Sequence, residues 1–183
     1  MNYCISNSVL GQGGYSEAQQ FGATGERIAL NELQRRGYNV SPISDWSAEA
    51  DLCIFGSVPV LVEVKVAHCR EFWNKNNGGR WRRRKRWSWE VNRIPRNIDM
   101  IVMLIAIDQD GVSHPFVLPS WAIAGRGWPS VIHLASDPLA YVTRGRGWLA
   151  EYYQQWSTVE QVIATRAKFQ SQAGQLTLWG NLV

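Results

Sequence analysis

Hydrophobic and polar positions change period several times along this chain, and each change marks an element. From Ser16 to Arg36 the apolar or small residues Ala18, Phe21, Gly22, Gly25, Ile28, Ala29 and Leu33 recur at helical spacing. Ser16 is an expected N-cap with acidic Glu17 behind it, Arg35 and Arg36 suit the last turn, and Gly37 suits the C′ position. The pattern predicts a helix over 16–36 and an extended piece over 38–43. Two short apolar runs in 51–66 flank Gly56-Ser57-Val58-Pro59 and predict a hairpin. Asn74-Lys75-Asn76-Asn77-Gly78-Gly79 is a turn signal. In 81–91 the odd positions Trp81, Arg83, Lys85, Trp87, Trp89 and Val91 share one face of a strand. Residues 99–107 are the most apolar run and predict a buried central strand. A turn at 108–111 leads to a strand over 114–118, a short helix over 119–124 and an edge strand over 131–134. Helical segments follow over 148–156 and 158–170, with Ser157 and Glu160 fitting a capping box. Residues 1–14 read as an irregular arm, and no internal repeat is present.

The polar residues inside the hairpin change the picture. Folding about Ser57 makes residues whose numbers sum to 114 face each other, which sets Asp51 opposite Glu63. Their Cβ atoms are then roughly 4.5–5.5 Å apart. Glu63 and Lys65 share a face, while Val62, Val64 and Val66 take the other, core-facing side. Two carboxylates and an ammonium thus converge on one patch. Like charges this close are costly unless a cation lies between them, and a hard divalent ion with oxygen ligands, Mg²⁺ or Mn²⁺, suits them. A charged pair on a solvated strand face is the simpler alternative. Against it stand the Val-rich setting of Glu63 and Lys65, the register of Asp51, and Glu26 on the edge of the helical stripe. The loop 44–49, with Asp45 and Glu49, is expected beside this patch.

These residues carry a resemblance. Gly25-Glu26 with the helix that follows, then Asp51, then Glu63-Val64-Lys65 resembles the PD-(D/E)xK nuclease superfamily, with Ala50 where proline is nominal. The segment is similar to archaeal Holliday-junction resolvases and to small intron- or phage-borne endonucleases. Trp87-Ser88-Trp89, the run 99–107 and Phe116-Val117-Leu118-Pro119-Ser120 are similar to the strand, strand and helix order of some small members. The resemblance implies an α/β fold, a mixed central β-sheet with flanking helices and a restriction-endonuclease-like αβββαβ core. It implies Mg²⁺-dependent hydrolysis of DNA phosphodiesters, with Glu26, Asp51, Glu63 and Lys65 catalytic. Asp51, Glu63 and the main-chain carbonyl of Val64 would hold the metal, and Glu26 would join through water or at a second ion. Lys65 keeps its charged form beside two carboxylates. It would orient the attacking water and stabilise developing charge.

Composition bounds the rest. With 183 residues, 45% hydrophobic and 19% charged, one ordered domain is expected, its core over about 16–125 and a C-terminal helical extension over about 126–183. The expectation is a cytoplasmic protein with no signal peptide, no membrane segment and no organic cofactor; Cys4, Cys53 and Cys69 have no metal-site spacing, and His68 and His133 are expected to be structural. The net charge of +4 is uneven: residues 70–96 hold ten Lys or Arg against Glu71 and Glu90. This basic run, Arg80, Arg82, Arg83, Arg84, Lys85 and Arg86 at its centre, is expected to bind nucleic acid by neutralising phosphates, with Trp87 and Trp89 as core. DNA is the expected partner, and symmetric duplex cleavage would call for a homodimer. Two other classes fit the same residues: a non-catalytic nucleic-acid-binding module on this fold, and a Mg²⁺-dependent RNA-cleaving toxin or effector.

Overall fold

The computed structural model describes residues 16–43, 50–75, 78–96, 99–145 and 147–180, with backbone alone for 173–180. Helix α1 spans Glu17–Arg35. Its start is a capping box: the Gln19 amide donates to Ser16 Oγ at 3.3 Å, and the Ser16 amide donates to Gln19 Oε1 at 2.8 Å. Its end is closed by the Gly37 and Tyr38 amides donating to the Gln34 and Leu33 carbonyls, with Gly37 at φ 87°. Strands β1 (Val40–Pro42), β2 (Leu52–Ile54) and β3 (Val60–His68) form an antiparallel meander. β3 pairs in parallel with β6 (Ile101–Ile107), which pairs antiparallel with β7 (Ser113–Pro119). The resulting order is β1-β2-β3-β6-β7. Every residue of β6 is buried, as expected for a central strand.

Between β3 and its parallel partner lie two more strands. β4 (Arg70–Lys75) and β5 (Trp81–Glu90) form an antiparallel hairpin, and β8 (Val131–Leu134) pairs with the inner half of β5. The mixed α/β class with flanking helices therefore holds, but the crossover is a β-hairpin where the αβββαβ pattern has a helix. The reason is local: 81–90 alternates with period two and is rich in tryptophan, which suits a strand. The remaining elements are α2 (Ser120–Ala124), α3 (Pro138–Thr143), a 3₁₀ turn (Trp148–Tyr152) and α4 (Ser157–Gly180).

The molecule is layered. Ala29 and Leu33 of α1 and Val159 and Val162 of α4 cover one face of the five-stranded sheet, packing with Val62, Val64, Ile101 and Met103. The smaller sheet covers the other face, where Trp87 and Trp89, 0% and 1% exposed, pack with Leu104, Phe116 and Leu134. Their indole N–H groups donate to the carbonyls of Ile107 and Ile105 at 2.8 and 3.2 Å, so neither polar atom is stranded. The expected capping box at Ser157 is not what forms. Ser157 Oγ accepts from Gln155, and Glu160 accepts from the Tyr38 hydroxyl at 2.6 Å, tying α4 to the segment after α1. Cys53 and Cys69 are free thiols, and Cys4 lies outside the described residues. Among the described residues no helix is long and apolar enough to cross a membrane.

Candidate active site

β2 pairs Leu52 with Val62, Cys53 with Leu61 and Ile54 with Val60. The ladder ends there, and Asp51, one residue further out, bonds Val62 and Val64, the two neighbours of Glu63 on β3. Asp51 is the last residue before β2 and is anchored twice. Its amide donates to the Val62 carbonyl at 3.0 Å, and its Oδ2 accepts the Val64 amide at 2.7 Å. The side chain thus closes the ladder where the partner strand runs out. Beyond it the edge of β3 has no β2 residue to pair with.

Glu63 is only 7% exposed, and the ammonium of Lys65 donates to its Oε1. Burial pushes the Glu63 carboxyl above the ordinary carboxylate range, Lys65 pulls it down, and Asp51 and Glu26 push it up again. Glu26 projects from α1, and burial and Asp51 raise its carboxyl, with Lys65 opposing. The four sequence-expected residues therefore lie within one electrostatic field.

Gly25 is what brings Glu26 there. A Cβ at this position would stand 2.7 Å from Val66 Cβ, closer than two side chains pack. The absence of a side chain lets α1 lie directly on β3 beside Lys65. Among the described residues no group of three or more His, Cys, Asp or Glu side chains comes together as a metal-binding set. The candidate donors are therefore two carboxylates with a main-chain oxygen, and a third acid further out. The loop 44–49, with Asp45 and Glu49, lies outside the described residues.

A cleft of about 790 Å³ opens beside Lys65, between the start of α1, the end of β3 and the outer face of β5. Of the four sequence-expected residues only Lys65 lines it, together with His68, Arg70, Ser88, Glu90 and Arg93. His68 stacks on Phe21 with ring centroids 3.8 Å apart, and burial lowers its pKa below the ordinary histidine value. Arg70 went unrecognised in the sequence because the turn signal at 74–79 masks a short polar strand before it. The basic run lies along the same hairpin. Arg82, Arg83 and Arg84 are exposed, whereas Lys85 and Arg86 are half-buried. Arg83 pairs with Glu71, and Arg86 lies 4.9 Å over the Phe72 ring, so the run is not a uniform solvated stripe.

No protein-family model matches this chain, and no curated protein is a significant match. Among solved structures it is similar to the bacterial homing endonuclease I-Ssp6803I. The TM-score is 0.52 at 14% sequence identity, and the match covers 83% of this chain and 99% of the other. The two chains share a fold. At that identity the likeness concerns the path of the chain, and the chemistry must be argued from the side chains.

Proposed function

We propose that this protein is a divalent-metal-dependent endonuclease that hydrolyses DNA phosphodiester bonds. The observation that carries this reading is the convergence of Asp51, Glu63 and Lys65 where β3 outruns its partner, on a fold shared with a homing endonuclease. The donor set suits a hard cation: a buried carboxylate whose charge is disfavoured, two further acids in its field, and main-chain oxygen nearby. Asp51, Glu63 and the Val64 carbonyl would hold Mg²⁺ or Mn²⁺. Val64 donates its amide toward the open edge, and the carbonyl of the same residue projects to the same edge. Glu26 would join through water or at a second ion. When bound, the ion lowers the pKa of a water and offsets charge on the phosphoryl oxygens.

The chain's own groups do the rest. Lys65, held by Glu63, presents an ammonium where negative charge develops on the phosphate and orients the attacking water. Asp51 is fixed by the Val64 amide, so its free oxygen is aimed before substrate arrives. The basic hairpin offsets the repulsion between an acidic site and a polyanion. Incubation with labelled duplex DNA, single-stranded DNA, branched DNA and RNA, with Mg²⁺ and with EDTA, tests the reading. Mg²⁺-dependent cutting of DNA is expected. Cutting of RNA alone would transfer the protein to the RNA-cleaving class. Binding without cutting of any substrate would make it a non-catalytic module.

A further inference from the structure

The β4–β5 hairpin has two chemically different faces. Residues directly opposite in an antiparallel pair share a face, and the register pairs Arg70 with Arg86, Phe72 with Arg84 and Asn74 with Arg82. One face therefore carries Arg70, Arg82, Arg84 and Arg86 with Phe72 and Asn74. The other carries Glu71, Trp73 and Lys75 opposite Lys85, Arg83 and Trp81. Trp73 and Trp81 are each 64% exposed, so the outer part of the hairpin stands clear of the core that holds Trp87 and Trp89. The base of the hairpin borders the cleft beside Lys65. Arg70 at its base, and Ser88 further along β5 with the same parity, line the same cleft as Lys65.

We infer that this ribbon lies in the major groove of duplex DNA, with Arg82 and Arg84 reading base edges on one side of the cut. The inference rests on the nuclease reading and adds the form of the substrate and the element that selects its sequence. A two-stranded ribbon fits a groove about 12 Å wide. Arg82 and Arg84 are exposed, and among the described residues neither has an acidic partner, unlike Arg83. A guanidinium on a rigid strand can bond both O6 and N7 of a guanine, which a lysine cannot do with the same geometry. Lys75, Arg83 and Lys85 sit on the opposite face, and their charges serve the phosphates that flank the groove. The expected phosphate stripe thus divides into a reading face and a clamping face. Distance sets the offset. Arg70 and Asn74 lie five and nine residues beyond Lys65, at most about 17 and 30 Å along extended chain. At roughly 3.4 Å per nucleotide, the bases within reach lie no more than about nine base pairs from the scissile phosphate.

The test is selection of bound sequences from a randomised duplex pool by the full chain carrying Glu63→Gln, followed by cleavage of the selected duplex by the wild-type chain. A preference, including guanine, is expected within about nine base pairs of the cut. Arg82→Lys with Arg84→Lys should keep the salt dependence of binding and lose about tenfold or more of that preference, because charge remains while the bidentate geometry is gone. Lys75→Ser with Arg83→Ser should weaken binding and leave the preference intact. Selection of no sequence, tighter binding to single strands, or an undiminished preference in the double lysine variant each overturns the ribbon inference. Selective duplex binding without Mg²⁺-dependent cleavage by the wild-type chain overturns the nuclease reading and leaves the ribbon inference standing.

Discussion

Glu63 is buried beside Asp51 and within the field of Glu26, with one ammonium to offset them. Its carboxyl holds a proton at pH values where the unfolded chain, near the ordinary value of 4.5, has released it. Folding therefore takes up a proton in that window. The stability tied to this group is complete below 4.5 and is lost as pH rises through the raised folded value. In metal-free buffer the melting temperature of the wild-type protein, measured relative to Glu63→Gln, should fall as pH rises above 4.5. A constant difference would show that Glu63 is not perturbed by its neighbours. On the proposed function Mg²⁺ would bind the ionised form and should raise the wild-type melting temperature at neutral pH, with little effect on Glu63→Gln. At this scale the sequence was informative because alternation and a two-sided turn fix which side chains face each other. The anchoring of Asp51 on the Val64 amide was not legible, since a carboxylate's rotamer is chosen by neighbours that no local pattern names.

Among the elements, α1 and the β4–β5 hairpin decide where the chemistry sits. α1 rests on β3 through Gly25, and Gly25→Val would force the helix away from Val66. The expected cost is about 1–3 kcal/mol in urea unfolding, with loss of cleavage beyond what that instability explains, because Glu26 moves with the helix. Full activity in a destabilised Gly25→Val protein would remove Glu26 from the site. Trp87→Ala should cost about 3–5 kcal/mol, since it empties a fully buried position and removes one of the hydrogen bonds to the Ile107 carbonyl. The strands at 81–90, 101–107 and 113–119 and the helices at 17–35 and 120–124 follow the sequence patterns closely. Two elements were hidden. β4 is short, polar and half-exposed, so it shows no hydrophobic period. α3 is a six-residue helix set by the Asp137 side chain capping the Leu139 and Ala140 amides, with Pro138 in its first turn. So short a helix has too few turns to display an apolar stripe.

At the scale of the whole molecule the charge is segregated: the hairpin carries the positive excess, and the remainder of the chain is net acidic. Removing Lys75, Arg83 and Lys85 together should lower the slope of log K against log salt on duplex DNA by about 0.9 for each phosphate those side chains neutralise. An unchanged slope would assign those charges to solvent. One site per chain cuts one strand, so we propose that duplex cleavage uses two copies. Sedimentation of Glu63→Gln on a cleaved sequence should then give a two-to-one complex, and a one-to-one complex would require sequential nicking. Charge segregation was plain in composition. The layering that sets the base of the hairpin beside Lys65 was not, because it depends on β5 pairing with β8, more than forty residues away. The measurement that bears most directly on the central claim is cleavage of one end-labelled duplex by the wild-type chain and by Glu63→Gln, each with Mg²⁺ and with EDTA. The wild type should cut with Mg²⁺ alone, and Glu63→Gln should bind the same duplex and leave it whole. Cutting by Glu63→Gln at the wild-type rate would contradict the assignment of this site.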